Sequence, residues 1–403
     1  WSIITNDALD ACLSVSLLPT VYHSLLGGSE QYLFKLLYPL LFSISPLIVY
    51  VISRKYISNS YAFLASIFFI SQVTFLRAAY NARTVTAILF FALAMMVILS
   101  DQIEPARKRA LFIVFMAAAI VSHYASASIF FIILLASWLL AGLLRRRYAF
   151  RRTIAVTTPV LCFVLIFLWY SQLTQGAFTN VVVFCQRTFE NLGRFLVTEF
   201  MGTQVKTALG AGLAGKGIPS AIHVAFTWIT FILLGIGVIT MLRRYKRFEG
   251  EYLALALICS ALMAATVVLP PLSRLYSVQR TYTQVLVILA PILVLGGIWL
   301  AQRLRTNPSL VLCLVLIPYF LSVTGVTYQI GDSPYKDITL SSEGEEYYWS
   351  YVHKEEVYSA RWLAAHREKG RLEDRFKELT LIFTDIPGHS RLMSQGKINR
   401  RWM

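Results

Sequence analysis

The chain has 403 residues, of which 57% are hydrophobic and 14% aromatic, and its mean hydropathy is +0.62. Many apolar runs approach or exceed the roughly 18 residues needed to cross the hydrocarbon core of a bilayer, which excludes a soluble globule. The net charge of +16 would suit nucleic acid if it covered a polar surface. Much of it instead lies in short loops between apolar runs, as membrane topology requires, so we expect no nucleic-acid partner.

The five cysteines are scattered singly and lack the close spacings of zinc sites or disulfide frameworks. The chain starts at Trp1 without a methionine or a basic leader, and we therefore expect its natural start to lie upstream.

The sequence predicts an all-α polytopic membrane protein with three regions. Residues 1–32 form the end of a first extracytoplasmic loop with short interfacial helices, because polar side chains interrupt their apolar pieces. Residues 33–327 form the transmembrane domain, whose longest outer loop covers residues 171–220 and includes an amphipathic interfacial helix near residues 189–200. About ten crossings are expected, at residues 36–52, 61–76, 87–100, 110–121, 129–144, 154–170, 221–242, 252–269, 285–301 and 310–326.

Residues 328–403 are polar and are expected on the extracytoplasmic side of a multi-pass cell-membrane protein. A helix at residues 355–369, with acidic residues first and basic residues last, precedes a predicted strand at residues 379–383. This pattern indicates a small C-terminal α/β segment that is cut short.

Residues 107–152 carry the clearest topological signal. Basic clusters stand at both ends, and because such clusters stay in the cytoplasm, the segment must cross the membrane an even number of times. It is therefore a helical hairpin whose turn, Ser122 to Ser126, places His123 and Tyr124 near the outer face. Ionisable groups at this depth are costly and often mark a site, although a lone histidine is commonly a satisfied polar group at a helix end.

Four arginines fall in the other outer turns: Arg77, Arg83, Arg274 and Arg280. Arginine forms paired, charge-assisted hydrogen bonds with phosphate oxygens, so these residues suit a lipid phosphate or diphosphate headgroup. Each alone is better explained as snorkelling to the interface. Their recurrence at successive outer turns, together with His123, is what indicates a site.

Four stretches carry a family resemblance: residues 34–50 with Arg54-Lys55, the Ser122-His123-Tyr124 signature, the outer turn at residues 274–280 and the helix at residues 355–363. Together they resemble a family of uncharacterised prokaryotic membrane proteins that is related to the GT-C superfamily of integral membrane glycosyltransferases. The resemblance implies a GT-C-like fold and sugar transfer from a polyprenyl-phosphate donor to a glycan, lipid or protein acceptor. The usual base or metal ligand of such enzymes is an acid of the first outer loop, which here means Asp7 or Asp10, with Mg²⁺ or Mn²⁺ as the metal.

Two other functions stay open from the sequence. An O-antigen ligase or polymerase type of enzyme also carries a long outer loop and outer arginines, but it needs no carboxylate base. A transporter or flippase for lipid-linked glycans would be expected to have repeat-related halves and charges deep within broken helices. A structural anchor for the outer segment would leave His123 and the outer arginines unexplained.

Overall fold

The computed structural model describes residues 11–27, 33–145, 154–174, 186, 205–206, 217–268, 278–331, 347–348, 351–366, 388, 391–392 and 395–396. The chain divides into two compact units, Trp1–Thr324 and Gly325–Met403. Regular structure in the described residues is helical, and none of them lies in a strand.

Sixteen α-helices are numbered here in chain order. They are α1 Leu13–Ser16, α2 Leu18–Leu26, α3 Tyr38–Phe42, α4 Ser45–Ser53, α5 Asn59–Ile70, α6 Val73–Leu76, α7 Ala82–Leu99, α8 Pro105–Ser122, α9 Tyr124–Arg145, α10 Thr157–Phe167, α11 Gly217–Arg243, α12 Gly250–Val268, α13 Val278–Leu304, α14 Pro308–Val323, α15 Val326–Ile330 and α16 Lys354–His366. Short π-helical turns at Leu33–Leu37 and Leu168–Leu173 extend α3 and α10, and 3₁₀ turns cover Ala78–Asn81 and Tyr245–Arg247.

Among the described residues, five helical segments are long and apolar enough to cross a membrane: Leu33–Ser53, Ala78–Leu99, Tyr124–Leu144, Gly217–Arg243 and Val278–Leu304. The other apolar helices of the described chain are shorter, or carry basic residues in their first turns as α8 does. The described part of the chain therefore supports a helical membrane protein with five candidate crossings by length and composition, and it does not support the ten that the sequence predicts.

One predicted element boundary is wrong, and three other predicted elements are described only in part or lie outside the described residues. The helix predicted to end near residue 76 ends at Ile70, because the backbone becomes extended at Gln72 (ψ 140°). The next long helix begins at Ala82. The C-terminal helix is described only over Lys354–His366. The predicted strand at residues 379–383 and the amphipathic helix near residues 189–200 lie outside the described residues, so an α/β arrangement is not supported.

Helix α13 is the centre of the first unit, where it packs against α4, α5, α7, α11, α12 and α14. Its contact with α11 is a backbone-to-backbone approach. A Cβ built on Gly237 of α11 would lie 1.9 Å from the Ile292 carbonyl oxygen, and one built on Gly296 would lie 1.9 Å from the Leu233 carbonyl oxygen. Small residues allow helices to approach this closely, which is how helices commonly associate in lipid.

The chain reverses direction between α8 and α9. The rings of Phe112 and Phe130 lie 6.2 Å apart, edge to face, whereas a continuous helix would separate positions 18 residues apart by about 27 Å. The reversal takes place at one residue, His123, whose backbone is extended (φ −160°, ψ 117°). The hairpin predicted from the basic clusters is thus present, with a tighter turn than expected.

At the opposite end of the bundle, the loops that the sequence places in the cytoplasm meet. The Lys55 Nζ lies 2.7 Å from a carboxylate oxygen of Asp101 and 2.7 Å from one of Glu249, which joins three loops. Burial alone would lower the pKa of Lys55, but these two carboxylates outweigh it and raise the pKa. The Ile154 amide donates to Glu251, 2.7 Å away, at the start of α12. Loops assigned to one side of the membrane therefore lie at one end of the molecule.

Candidate functional site

His123 lies buried at the hairpin turn, with 1% of its surface exposed. Its Nδ1 is 2.9 Å from the Ser126 hydroxyl, and its carbonyl accepts the Ala127 amide, so the first turn of α9 fixes the ring. The Nε2 atom is buried and has no hydrogen-bond partner among the described residues. A buried imidazole nitrogen without a partner is costly, and it would be satisfied by a ligand atom.

Tyr124 begins the helix that follows the turn. Its ring lies 5.1 Å from the His123 ring and meets the Tyr170 ring edge to face at 6.3 Å. The Tyr170 hydroxyl donates to the Ile120 carbonyl near the end of α8. Three aromatic rings thus line one side of the turn, and the contact with Tyr170 ties the hairpin to the end of the α10 segment.

Arg83 and Arg280 enter this region from two other helices. Arg83 is the second residue of α7, and its Nη1 is buried without a hydrogen-bond partner in the described structure. Arg280 is the third residue of α13, and its Nη2 donates to the Asn81 Oδ1 at 3.2 Å. No ion pair to either guanidinium is found among the described residues.

The charges of these two arginines act on the imidazole. Burial lowers the pKa of His123 most, and the Arg83 and Arg280 charges lower it further, so the ring is neutral at physiological pH. Arg83 also acts electrostatically on Arg280. Two like charges in a partly buried site repel each other, and a bound anion would relieve that repulsion. The arrangement therefore favours an anion with oxygen acceptors, such as a phosphate.

Of the other predicted site residues, the structure describes only Arg77. Arg77 is half-buried at the start of the 3₁₀ turn, where its carbonyl accepts from the Asn81 side chain at 3.2 Å. Arg77 therefore lies in the same turn as Asn81, which accepts the hydrogen bond from Arg280. The charge of Arg77 is not among those that act on His123. Asp7, Asp10 and Arg274 lie outside the described residues.

The N-terminal segment is anchored at the same turn. The Ser14 hydroxyl donates to the Ser122 carbonyl at 2.9 Å, and the Trp169 indole donates to the Ala11 carbonyl at 2.9 Å. The Tyr38 hydroxyl donates to the Ser14 carbonyl. These bonds bring the chain that directly follows Asp10 to the hairpin turn.

Sequence reasoning missed Asn81, Ser126 and Gln284. The Gln284 amide donates to the Ser126 carbonyl at 3.1 Å, and its buried Oε1 has no partner among the described residues. A signal was available, because Arg280 and Gln284 are four residues apart and so share a face at the polar end of an otherwise apolar helix. Asn81 is likewise two residues from Arg83.

A metal site is not formed by the described chain, in which no group of three or more histidine, cysteine, aspartate or glutamate side chains could hold an ion. The expected Mg²⁺ or Mn²⁺ would need the acids of the first outer loop, Asp7 and Asp10, together with oxygens of a substrate.

The apolar helices define a helical membrane protein, and the buried His123 turn lies at one end of its bundle, within reach of the charges of Arg83 and Arg280. Residues 108–400 match the model of a family described as predicted membrane protein (DUF2206), so the chain belongs to that family. His123 and Arg280 fall within the matched region, and Arg83 precedes it. No curated protein and no solved structure matches the chain.

Proposed function

We propose that this protein is a membrane glycosyltransferase of the GT-C type, which moves a sugar from a polyprenyl-phosphate donor to an acceptor at the extracytoplasmic face. The observation that carries the proposal is that the charges of Arg83 and Arg280 act on His123, and that an Arg83 nitrogen and a His123 nitrogen are buried with no hydrogen-bond partner among the described residues. Such a site favours the phosphate that sugar transfer releases.

The proposed topology has ten crossings and places this turn and the C-terminal unit outside. The ion pairs of Lys55 with Asp101 and Glu249 support this topology. The sequence assigns the loops of these three residues to the cytoplasm, and the loops lie together at the end of the bundle away from the His123 turn. The shorter helices would then cross with help from their flanking turns or from local thinning of the bilayer.

In the proposed reaction, a carboxylate of the first outer loop, Asp7 or Asp10, takes the proton of an acceptor hydroxyl. The hydroxyl oxygen forms a bond to the anomeric carbon of the sugar, and the bond from that carbon to the phosphate oxygen breaks. The electron pair stays on the lipid phosphate. A divalent metal held by the same acids is part of the proposal.

Arg83 and Arg280 stabilise the charge that develops on the leaving phosphate, and the proposal gives the same role to Arg77 and to Arg274 of the predicted outer turn. His123 stays neutral, so its Nε2 donates a hydrogen bond only in the tautomer in which Nδ1 accepts from Ser126. Tyr124 donates to the same phosphate or to the sugar.

The first experiment measures binding of radiolabelled polyprenyl phosphate to the purified protein in phosphatidylcholine nanodiscs. Loss of one charge-assisted hydrogen bond costs about 1.5–3 kcal/mol, so Arg83→Gln and Arg280→Gln should each weaken binding roughly 10- to 150-fold. Arg54→Gln is the matched control, since this exposed arginine lies over the Tyr50 ring at the other end of the bundle. Equal binding by all four proteins would disprove the phosphate site.

A second measurement follows release of polyprenyl phosphate from a polyprenyl-phosphate hexose in membranes. His123→Ala should lower the rate, and full activity in that variant would remove His123 from the site. Binding without release, together with movement of labelled lipid across vesicles, would instead indicate a flippase.

A ligase or polymerase acting on lipid-linked glycans is the second candidate. Such an enzyme would also use the outer arginines, but it needs no carboxylate base. Replacing both acids of the first outer loop, as Asp7→Asn with Asp10→Asn, separates the two functions, because only the glycosyltransferase mechanism requires one of them.

A further inference from the structure

A cavity of about 930 Å³ lies between helices α8 and α10 at the end of the bundle that carries Lys55. The two segments touch at their other end, where the Tyr170 hydroxyl donates to the Ile120 carbonyl. They diverge from that contact toward residues 105 and 154, which leaves a wedge. Its volume falls within the roughly 300–1,000 Å³ of ordinary ligand sites.

The interior of the wedge is apolar and one side is open. Phe112 and Met116 are buried along its floor. The open rim exposes Ile113 (43%), Val160 (55%) and Val164 (41%), side chains that suit contact with lipid. A groove of this kind in a membrane takes an acyl chain, because water there would find no polar partners along the floor.

The mouth of the wedge is cationic. Lys108 and Arg109 line it, and the Lys108 Nζ uses one of its three donors on the Ser100 carbonyl at 2.8 Å. The lining contains one acid, Asp101, which lies 2.7 Å from the Lys55 Nζ. Helix α10 begins at the mouth with Thr157, and a helix N-terminus favours negative charge.

We propose that this wedge binds one anionic membrane phospholipid, with an acyl chain between α8 and α10 and the phosphate at Lys108, Arg109 and Thr157. The sequence assigns this end to the cytoplasmic leaflet, where anionic lipids attract basic residues near the membrane surface. The site lies at the opposite end from the His123 turn and is independent of sugar transfer.

The test uses phosphatidylglycerol with a photoreactive acyl chain, incorporated into phosphatidylcholine nanodiscs that hold the full chain. Labelled peptides should come from residues 109–116 and 157–164. Ile239 and Leu242 of α11, exposed by 52% and 44%, report ordinary contact with surrounding lipid. Unlabelled phosphatidylglycerol should displace the groove label at least tenfold more effectively than phosphatidylcholine.

Two kinds of variant extend the test. Each basic residue contributes roughly a fivefold gain in lipid affinity, so Lys108→Gln and Arg109→Gln should each lower the groove label by about that factor, whereas Lys246→Gln should not. Val160→Trp fills the open rim at an exposed position and should exclude the label without unfolding the protein. Groove labelling no stronger than that of α11, or equal displacement by both lipids, would overturn the proposal.

Discussion

The approach of α11 to α13 permits a graded prediction from glycine replacements. In Gly237→Ala, the new Cβ would lie 1.9 Å from the Ile292 carbonyl oxygen, whereas ordinary contact begins near 3.4 Å. The two backbones must therefore separate by about 1.5 Å, the difference between those distances. Because the obstacle is backbone rather than a flexible side chain, we expect an overpacking cost of about 1–3 kcal/mol, and the same for Gly296→Ala.

Two further glycines calibrate the series. Gly297→Ala meets only the end of the Leu312 side chain at 2.4 Å, which can rotate away, so its cost should be smaller. Gly235→Ala has open space around the Cβ and should be neutral or should stabilise α11 by up to about 1 kcal/mol, since alanine is the better helix former.

The assay is equilibrium unfolding in mixed micelles, followed by circular dichroism, with the four variants compared under one set of conditions. The expected order of the free energy of unfolding is Gly235→Ala highest, then Gly297→Ala, with Gly237→Ala and Gly296→Ala lowest. If Gly237→Ala and Gly235→Ala unfolded alike, the close approach of the two helices would be wrong. Because α13 also carries Arg280 and Gln284, the destabilising variants should weaken polyprenyl phosphate binding as well.

Three other predictions concern single groups. The pKa of His123 is lower in the folded protein than in the unfolded chain, so on acidification the unfolded chain binds a proton first. The free energy of unfolding should therefore fall as the pH drops below about 6.5. In unfolding curves measured at a series of pH values, His123→Gln should make that fall smaller. Lys55→Met leaves the Asp101 and Glu249 carboxylates without their cation and should lower the free energy of unfolding by about 1 kcal/mol, and by less in high salt. Arg107→Gln breaks an exposed ion pair and should leave the free energy of unfolding almost unchanged in the same assay. Tyr252→Phe removes the buried hydrogen bond to the Ile288 carbonyl at 3.0 Å and should cost about 1 kcal/mol by thermal unfolding, without altering lipid-phosphate binding.

The hairpin shows what local sequence signals can predict. Apolar runs bounded by basic clusters required a reversal near residues 122–126, and the structure places it at His123. The same alternation predicted that loops carrying Lys55, Asp101 and Glu249 share one end. These features follow from a one-dimensional pattern, because hydrophobic length and charge asymmetry act on each segment separately.

Partners within the site could not be predicted in this way. Arg280 and its partner Asn81 are 199 residues apart, and Gln284 reaches Ser126 across 158 residues. Which side chains meet depends on the rotation and depth of each helix, and these are fixed by packing against neighbours rather than by apolar length. The break after Ile70 moved Arg83 from the predicted loop into the first turn of a helix for the same reason.

The sequence by itself determined that this protein is a helical membrane protein and that its basic loops gather on one side, since the cost of placing charge and unpaired backbone in lipid is paid segment by segment. Only the tertiary structure decided that the charges of Arg83 and Arg280 act on the buried His123, and that a cavity with Lys108 and Arg109 in its lining lies between α8 and α10. Which side chains meet depends on how the helices pack, and the close approach of α11 to α13 at Gly237 and Gly296 is one such contact that the apolar pattern does not predict.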